Sequence, residues 1–235
     1  MSPTLDTAPT PDILFRVGRG PDVWEWRGWE SAGLDGTFGH RWDDPQSNYR
    51  VLHTSCDRLG AYLEVLAWFR PDLRILAEYA NIEDNDPTAA PTNSPGRLTR
   101  IWRDGRIFAS GVSDRVQGPL VAVGRSASLA TIRRALAGVA LKHGLQDINA
   151  EMIRRTAPRR FTQEVSRFIY EQALPDDSPY GGIFYLSRYG DDVENCAIFE
   201  RDGEPFPVTH LERIDISIDD RDFLEACRLL GIQPE

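Results

Sequence analysis

Glu64 is the only charged side chain in the run Ala61-Tyr62-Leu63-Glu64-Val65-Leu66-Ala67-Trp68-Phe69. On a helix, its neighbours three and four positions away are Gly60, Ala61, Ala67 and Trp68, so open space flanks the carboxylate. Such a group either faces water or lies at the floor of a cleft against a cation, because an unpaired buried charge is costly. A second chemical segment is the loop Gly39-His40-Arg41-Trp42-Asp43-Asp44-Pro45. The planar fork of Arg41 can grip a phosphate in a way lysine cannot, with the Trp42 indole packing on a ring; the alternative is a surface arginine stacked on Trp42 or paired with Asp43. A third is Gly181-Gly182-Ile183-Phe184-Tyr185-Leu186-Ser187-Arg188-Tyr189, where a hydroxyl adjoins a guanidinium and strand alternation puts Ile183, Tyr185 and Ser187 on one face. No Gly-x-Ser-x-Gly elbow surrounds Ser187, which argues against a hydrolase nucleophile. His40 and His53 lack metal-ligand spacing to any other His or Cys, so no metal centre is expected.

The elements that must position these groups read as a mixture of strands and helices. Residues 13–17, containing Arg16, have strand composition, and so do residues 49–54, containing His53. Ser55 then offers an N-cap for a helix to about residue 69, where Arg70-Pro71 stops it. Residues 74–79 read as a further strand, followed by a loop over 81–96 rich in Asn, Asp, Pro and Thr. Residues 120–123 suit a strand, and apolar spacing predicts helices over 129–143 and 161–172. Strands at 183–189 and 195–200 are spaced as a hairpin, and the chain closes with a strand at 214–218 and a helix over 221–230. The irregular interleaving predicts an α+β fold, one domain over 12–235 with a mixed sheet and packed helices, after a disordered tail over 1–11.

Composition narrows the function. A chain of 235 residues with 41% hydrophobic content can bury a full core, and its 27 basic against 36 acidic residues give a formal charge of −9. That charge opposes the counterion release that drives nucleic-acid binding, so direct nucleic-acid contact is not expected. Three widely spaced cysteines, Cys56, Cys196 and Cys227, suit a reducing cytoplasm. The N-terminal stretch lacks the basic start and apolar run of a secretion signal, and no apolar run long enough to span a membrane occurs.

Taken in order, three segments resemble the RES family of bacterial toxin-type enzymes, named for its Arg, Glu and Ser. Gly39-His40-Arg41-Trp42-Asp43 is similar to the family's Gly-Gly-Arg-Trp-Asn, and Tyr62-Leu63-Glu64-Val65-Leu66 resembles its Leu-Leu-Glu-Val-Leu. Gly182-Ile183-Phe184-Tyr185-Leu186-Ser187-Arg188 with Asn195-Cys196-Ala197-Ile198-Phe199 is similar to its Gly-Ile-x-Tyr-x-Ser-Arg and Asn-x-Ala-x-Phe. Order and approximate spacing agree over most of residues 14–200. His40 stands where a second Gly is usual, Asp43 where Asn is usual, and His53 where family members commonly carry Tyr.

The resemblance implies an ADP-ribosyltransferase-like fold and NAD+ as a consumed substrate, cleaved at the nicotinamide–ribose bond by glycohydrolase or phosphorylase chemistry. Water or inorganic phosphate would accept the ADP-ribosyl group, and no resident cofactor or metal is implied. Arg41, Glu64 and Ser187 become the expected catalytic residues, and Arg16, Arg41, Trp42, His53, Tyr185 and Arg188 the expected substrate contacts. The absence of a Gly-x-Gly-x-x-Gly dinucleotide fingerprint agrees with NAD+ as substrate. The family context further implies a cytoplasmic toxin of a toxin–antitoxin system, with a helix-turn-helix antitoxin as partner, and a homo-oligomer is compatible with the sequence. Two competing readings are an ADP-ribosyltransferase acting on a protein and a non-enzymatic module that binds a nucleotide or partner.

Overall fold

In the computed structural model, residues 5–80, 96–155, 158–201 and 206–235 are described. The strands are β1 (Thr7–Ala8), β2 (Ile13–Gly18), β3 (Val51–Ser55), β4 (Arg97–Leu98), β5 (Ile107–Val112), β6 (Leu120–Ala122), β7 (Gly182–Leu186), β8 (Glu194–Phe199), β9 (Thr209–Asp215) and β10 (Gln233–Pro234). The helices are α1 (Arg58–Leu66), α2 (Leu73–Ala80), α3 (Arg100–Asp104), α4 (Ser126–Lys142), α5 (Ala150–Arg154), α6 (Arg159–Tyr170) and α7 (Arg221–Leu230). Eight strands form one sheet in the order β1-β6-β7-β8-β3-β2-β5-β9, while β10 and β4 pair separately. Only β6 and β7 run parallel within the large sheet. The fold is thus α+β, a mixed sheet with packed helices in one domain.

Alternation along the strands sorts the core into two faces. Val121, Ile183, Ala197 and Phe199 point to the face that α4 and α6 cover with Ile132, Phe161 and Val165. On the same face Val17 and Phe108 meet Tyr62 and Leu66 of α1 and Phe223 of α7. Leu14, Leu52, Cys196 and Ile198 point the other way and are sealed by Trp24 and Trp26. The two helical groups therefore share a face of the sheet, and the strands between them, β8, β3 and β2, are left to floor a cavity.

Several expectations change. Residues 7–8, expected in a disordered tail, form β1 against β6. Residues 5–8 are held in place because Leu5 and Ala8 are buried and the Asp6 backbone N–H donates to Ser128 Oγ at 2.9 Å. Residues 74–79, expected as a strand, belong to α2, started by Asp72, whose Oδ1 accepts from the Arg74 N–H at 2.8 Å. The cap of α1 is Asp57, not Ser55; its Oδ1 accepts from the Gly60 N–H at 2.7 Å. The helix then gives way at Ala67–Phe69 to a tighter 3-10 turn. Apart from Gly96, which ends it, the loop expected over 81–96 lies outside the described residues. The hairpin of β7 and β8 forms as expected, with Tyr185 opposite Asn195. Its close approach needs glycine at 182, where a Cβ would stand 2.2 Å from the Ala197 carbonyl oxygen.

Candidate active site

A cavity of about 650 Å³ opens between the two helical groups, within the size range of small-molecule sites. Glu64 of α1 lines it, half-buried. The carboxylate is anchored from the sheet: Asn195 Nδ2 donates to Glu64 Oε1 at 2.9 Å, and Ser55 Oγ donates to Asn195 Oδ1 at 2.5 Å. Ser55 and Asn195 are direct partners in the β3–β8 ladder, so the backbone register itself sets this relay. Asn195 is only 1% exposed; a buried amide is retained where its hydrogen bonds are satisfied, and here both ends are.

Arg41 faces the same cavity from the loop before β3. Its guanidinium carbon lies 4.9 Å from the Trp42 ring centre and 5.4 Å from that of Tyr185. Its Nε and Nη2 are buried and have no hydrogen-bond partner among the described residues. Burial lowers the Arg41 pKa to about 10, with Tyr185 and Glu64 acting against the shift, so the group stays cationic. Arg16 of β2 is similar: Nη1 is buried without a partner among the described residues, and burial, opposed by Asp22, lowers its pKa to about 10. Buried donors without acceptors are costly; Arg41 is thus arranged for an anion that brings its own oxygens, whereas Arg16 alternates with Val17 and shares the Leu14 face of the sheet, away from Glu64.

The loop that carries Arg41 is held by α6. Gln163 Nε2 donates to the carbonyls of Phe38 at 3.2 Å and His40 at 3.0 Å, and Ser166 Oγ donates to the Trp42 carbonyl at 2.5 Å. Arg159 Nη1 reaches the Gly39 carbonyl. Within the loop Asp43 Oδ2 accepts from the His40 backbone N–H at 2.6 Å, and Asp43 Oδ1 lies 3.5 Å from His53 Nε2, an electrostatic contact without hydrogen-bond geometry. Burial alone would raise the Asp43 pKa, but His53, His40 and the His40 N–H outweigh it and the net shift is downward. His40 and His53 have ring centres 5.4 Å apart, and both line the cavity. His40 keeps exposed surface, yet desolvation by the protein around its ring, followed by repulsion from His53, lowers its pKa.

Of the residues expected to serve the site, Arg41, His53, Glu64, Tyr185 and Arg188 converge on this one cavity; Arg16 borders it from β2 but turns its side chain to the Leu14 face, beside Asp22. Burial, reinforced by the Glu64 charge, raises the Tyr185 pKa, so it presents a neutral phenol. Ser187 and Trp42 are placed differently. Ser187 is 1% exposed and outside the lining; its Oγ accepts from the Tyr189 N–H at 3.0 Å, and its own N–H donates to Val193 O at 2.8 Å. It shapes the turn that delivers Arg188 and Tyr189 to the wall. Trp42 is fully buried beneath Arg41, its ring 5.5 Å from that of Tyr185, and serves as a platform. Among the described residues, no cluster of His, Cys, Asp and Glu is arranged to hold a metal ion, and no helix is long and apolar enough to cross a membrane.

Sequence reasoning missed Asn195, whose signal was an amide inside an otherwise apolar strand, and it missed the remaining guanidiniums. Among the described residues, six arginines border the cavity and Glu64 is the one carboxylate, in a chain of net charge −9. Arg19, Arg106 and Arg159 complete the set. Comparison with protein-family models, curated proteins and solved structures returns no match, so the chemistry rests on this geometry.

Proposed function

We propose that the cavity binds NAD+ and cleaves its nicotinamide–ribose bond, transferring the ADP-ribosyl group to water or inorganic phosphate. The observation that carries this reading is one anchored carboxylate, Glu64, in a cavity whose other charged lining residues, among those described, include the buried Arg41. The guanidiniums suit a diphosphate, with Arg41 supplying the buried donors that lack partners among the described residues. The carboxylate suits the opposite charge. As the C1′–N bond breaks, its electron pair leaves with neutral nicotinamide and positive charge develops on the ribose. A fixed carboxylate stabilises that oxocarbenium-like state more than the ground state.

The remaining residues divide the work. Asn195 and Ser55 hold Glu64 so that little reorganisation accompanies the reaction. The Tyr185 phenol and the His53 ring contact the nicotinamide ribose, and Trp42 supports Arg41 from behind. Ser187 contributes indirectly through the Tyr189 turn and is no nucleophile. Water attacking C1′ passes a proton to solvent as the new bond forms, whereas a phosphate oxyanion attacks with no proton to lose. Such an enzyme acts as a toxin by draining cellular NAD+ in the cytoplasm, and an antitoxin of the helix-turn-helix class would restrain it by covering the cavity mouth. The motif resemblance over residues 14–200 extends this proposal to an ADP-ribosyltransferase-like fold. The test is incubation of the purified protein with NAD+, with and without phosphate, followed by product identification. ADP-ribose signifies water as acceptor, its 1-phosphate signifies phosphate, and a mass increase on protein signifies a transferase.

A further inference from the structure

The cavity is longer on one side of Glu64 than on the other. Its lining includes Tyr185 on β7, Asn195 on β8, His53 and Ser55 on β3, Phe15 to Val17 on β2, and Arg106 just before β5. From Asn195, which anchors Glu64, only β7 lies on one side, whereas β3, β2 and β5 lie on the other. With strands about 4.8 Å apart, that longer arm extends about 14 Å, comparable to an extended ribose–diphosphate–ribose unit. A dinucleotide whose reactive ribose sits at Glu64 therefore lays its far ribose towards β5.

At that far end lie Arg19 and Arg106. Arg106 is stacked on Trp102, with its guanidinium carbon 4.4 Å from the ring centre and Nη1 donating to the Trp102 carbonyl at 3.3 Å. Trp102 is braced edge-on by Phe69 at 5.4 Å. Arg19 is exposed and has no hydrogen bond or ion pair among the described residues. Desolvation and then repulsion from Arg19 lower the Arg106 pKa, which places the two cations within electrostatic reach of each other. Like charges held together with no carboxylate partner among the described residues destabilise the empty site, and an anion between them relieves the repulsion. The diphosphate does not need them, because Arg41, on whose charge Glu64 acts, already offers two buried donors without partners among the described residues, while Arg159 is tied to Gly39 and Arg188 to Tyr189.

We propose that Arg19 and Arg106 form a subsite for a third phosphate, carried on the far ribose, so that the chain prefers a 2′-phosphorylated dinucleotide, NADP+, over NAD+. This rests on the dinucleotide reading of the cavity and narrows its substrate class. Trp102 and Phe69 supply the aromatic surface on which the adjoining base stacks.

The experiment is calorimetric titration of the full chain with ADP-ribose and with 2′-phospho-ADP-ribose, neither of which carries the scissile bond. The native protein is expected to bind the 2′-phosphorylated ligand about ten- to a hundredfold more tightly, as two charge-assisted contacts allow. Arg19→Gln and Arg106→Gln should each reduce that ratio, and the double variant should bring it near one. The exposed position of Arg19 makes Arg19→Gln safe for folding, which a thermal melt verifies. Equal affinity of the native protein for the two ligands overturns the subsite, as does a preference that survives in the double variant. Nicotinamide release from NAD+ and NADP+, measured on the same preparation, separates this inference from the reaction. Preferential binding of the 2′-phosphorylated ligand without release from either dinucleotide upholds the subsite and removes the cleavage. Release from both at equal rates, with equal ligand affinities, does the reverse.

Discussion

Replacing Glu64 by glutamine isolates charge from shape. The bond from Asn195 Nδ2 to Glu64 Oε1 at 2.9 Å survives in principle, because a glutamine carbonyl accepts it equally well. The Ser55–Asn195 bond at 2.5 Å is untouched. What disappears is the one carboxylate charge that lines the cavity among the described residues, facing Arg41 and its neighbouring arginines. For the ground state this is harmless or favourable, since the cavity becomes more cationic towards a diphosphate, and Kd for NAD+ should stay level or fall. For the transition state it removes the partner of the developing ribose cation. Loss of one preorganised electrostatic contact typically costs about 2.7 to 4 kcal/mol, or about a hundred- to a thousandfold in rate. Glu64 also offsets part of the burial of Arg41, so a small drop in Tm is expected alongside. Single-turnover nicotinamide release, calorimetry and thermal melts on one preparation separate these effects. A stable Glu64→Gln protein with wild-type turnover refutes the assignment, and so does a loss of turnover that only tracks loss of folded protein.

Other perturbations probe the remaining parts of the site. Arg41→Lys keeps the charge but loses the fork and the stacking on Trp42, and should weaken NAD+ binding about ten- to a hundredfold by calorimetry. Ser187→Ala leaves the Tyr189 N–H without its acceptor and should cost about 1 to 3 kcal/mol of stability in urea melts; a glycosyl adduct trapped on native Ser187 would show the residue to be a nucleophile instead. His40 has a folded pKa of about 4 against an ordinary 6.5, so the unfolded chain takes up a proton first, and stability should rise with pH across that window. His40→Gln should flatten the slope, and an unchanged slope would trace it to other groups. Asp43 acts lower: its depressed pKa gives stability that is present above its unfolded value of about 3.9 and is lost as pH falls through the folded value. Alkylation at pH 8 should label partly exposed Cys56 before buried Cys196, whose thiol pKa is raised first by its hydrogen bond with Cys56, 3.7 Å away, and then by burial; simultaneous labelling in peptide mass maps would contradict that order.

Much of this arrangement was legible in the sequence where the signal was local. The isolation of Glu64 in an apolar run reflects a helix that buries Tyr62, Leu63 and Leu66 while turning Glu64 to the cavity. The alternation in residues 183–189 put Tyr185 on the correct face, but the strand ends at Leu186, so Ser187 leaves that face for the turn. The segment at 74–79 misled because a short run mixing apolar and charged residues fits either period, and Asp72 decided for a helix. Strand β5, Ile-Phe-Ala-Ser-Gly-Val, carries no alternation because both of its faces are covered. The pinning of the Arg41 loop by Gln163 and Ser166, and the meeting of six arginines around one cavity, join residues more than a hundred positions apart. No local pattern encodes those contacts.

The most direct measurement of the central claim is product analysis after incubating the native chain with NAD+, in buffer with and without inorganic phosphate. Free nicotinamide, appearing with an equal amount of ADP-ribose or its 1-phosphate and suppressed about a hundredfold or more in Glu64→Gln, is the expected result. Intact NAD+ after prolonged incubation with folded protein would contradict it.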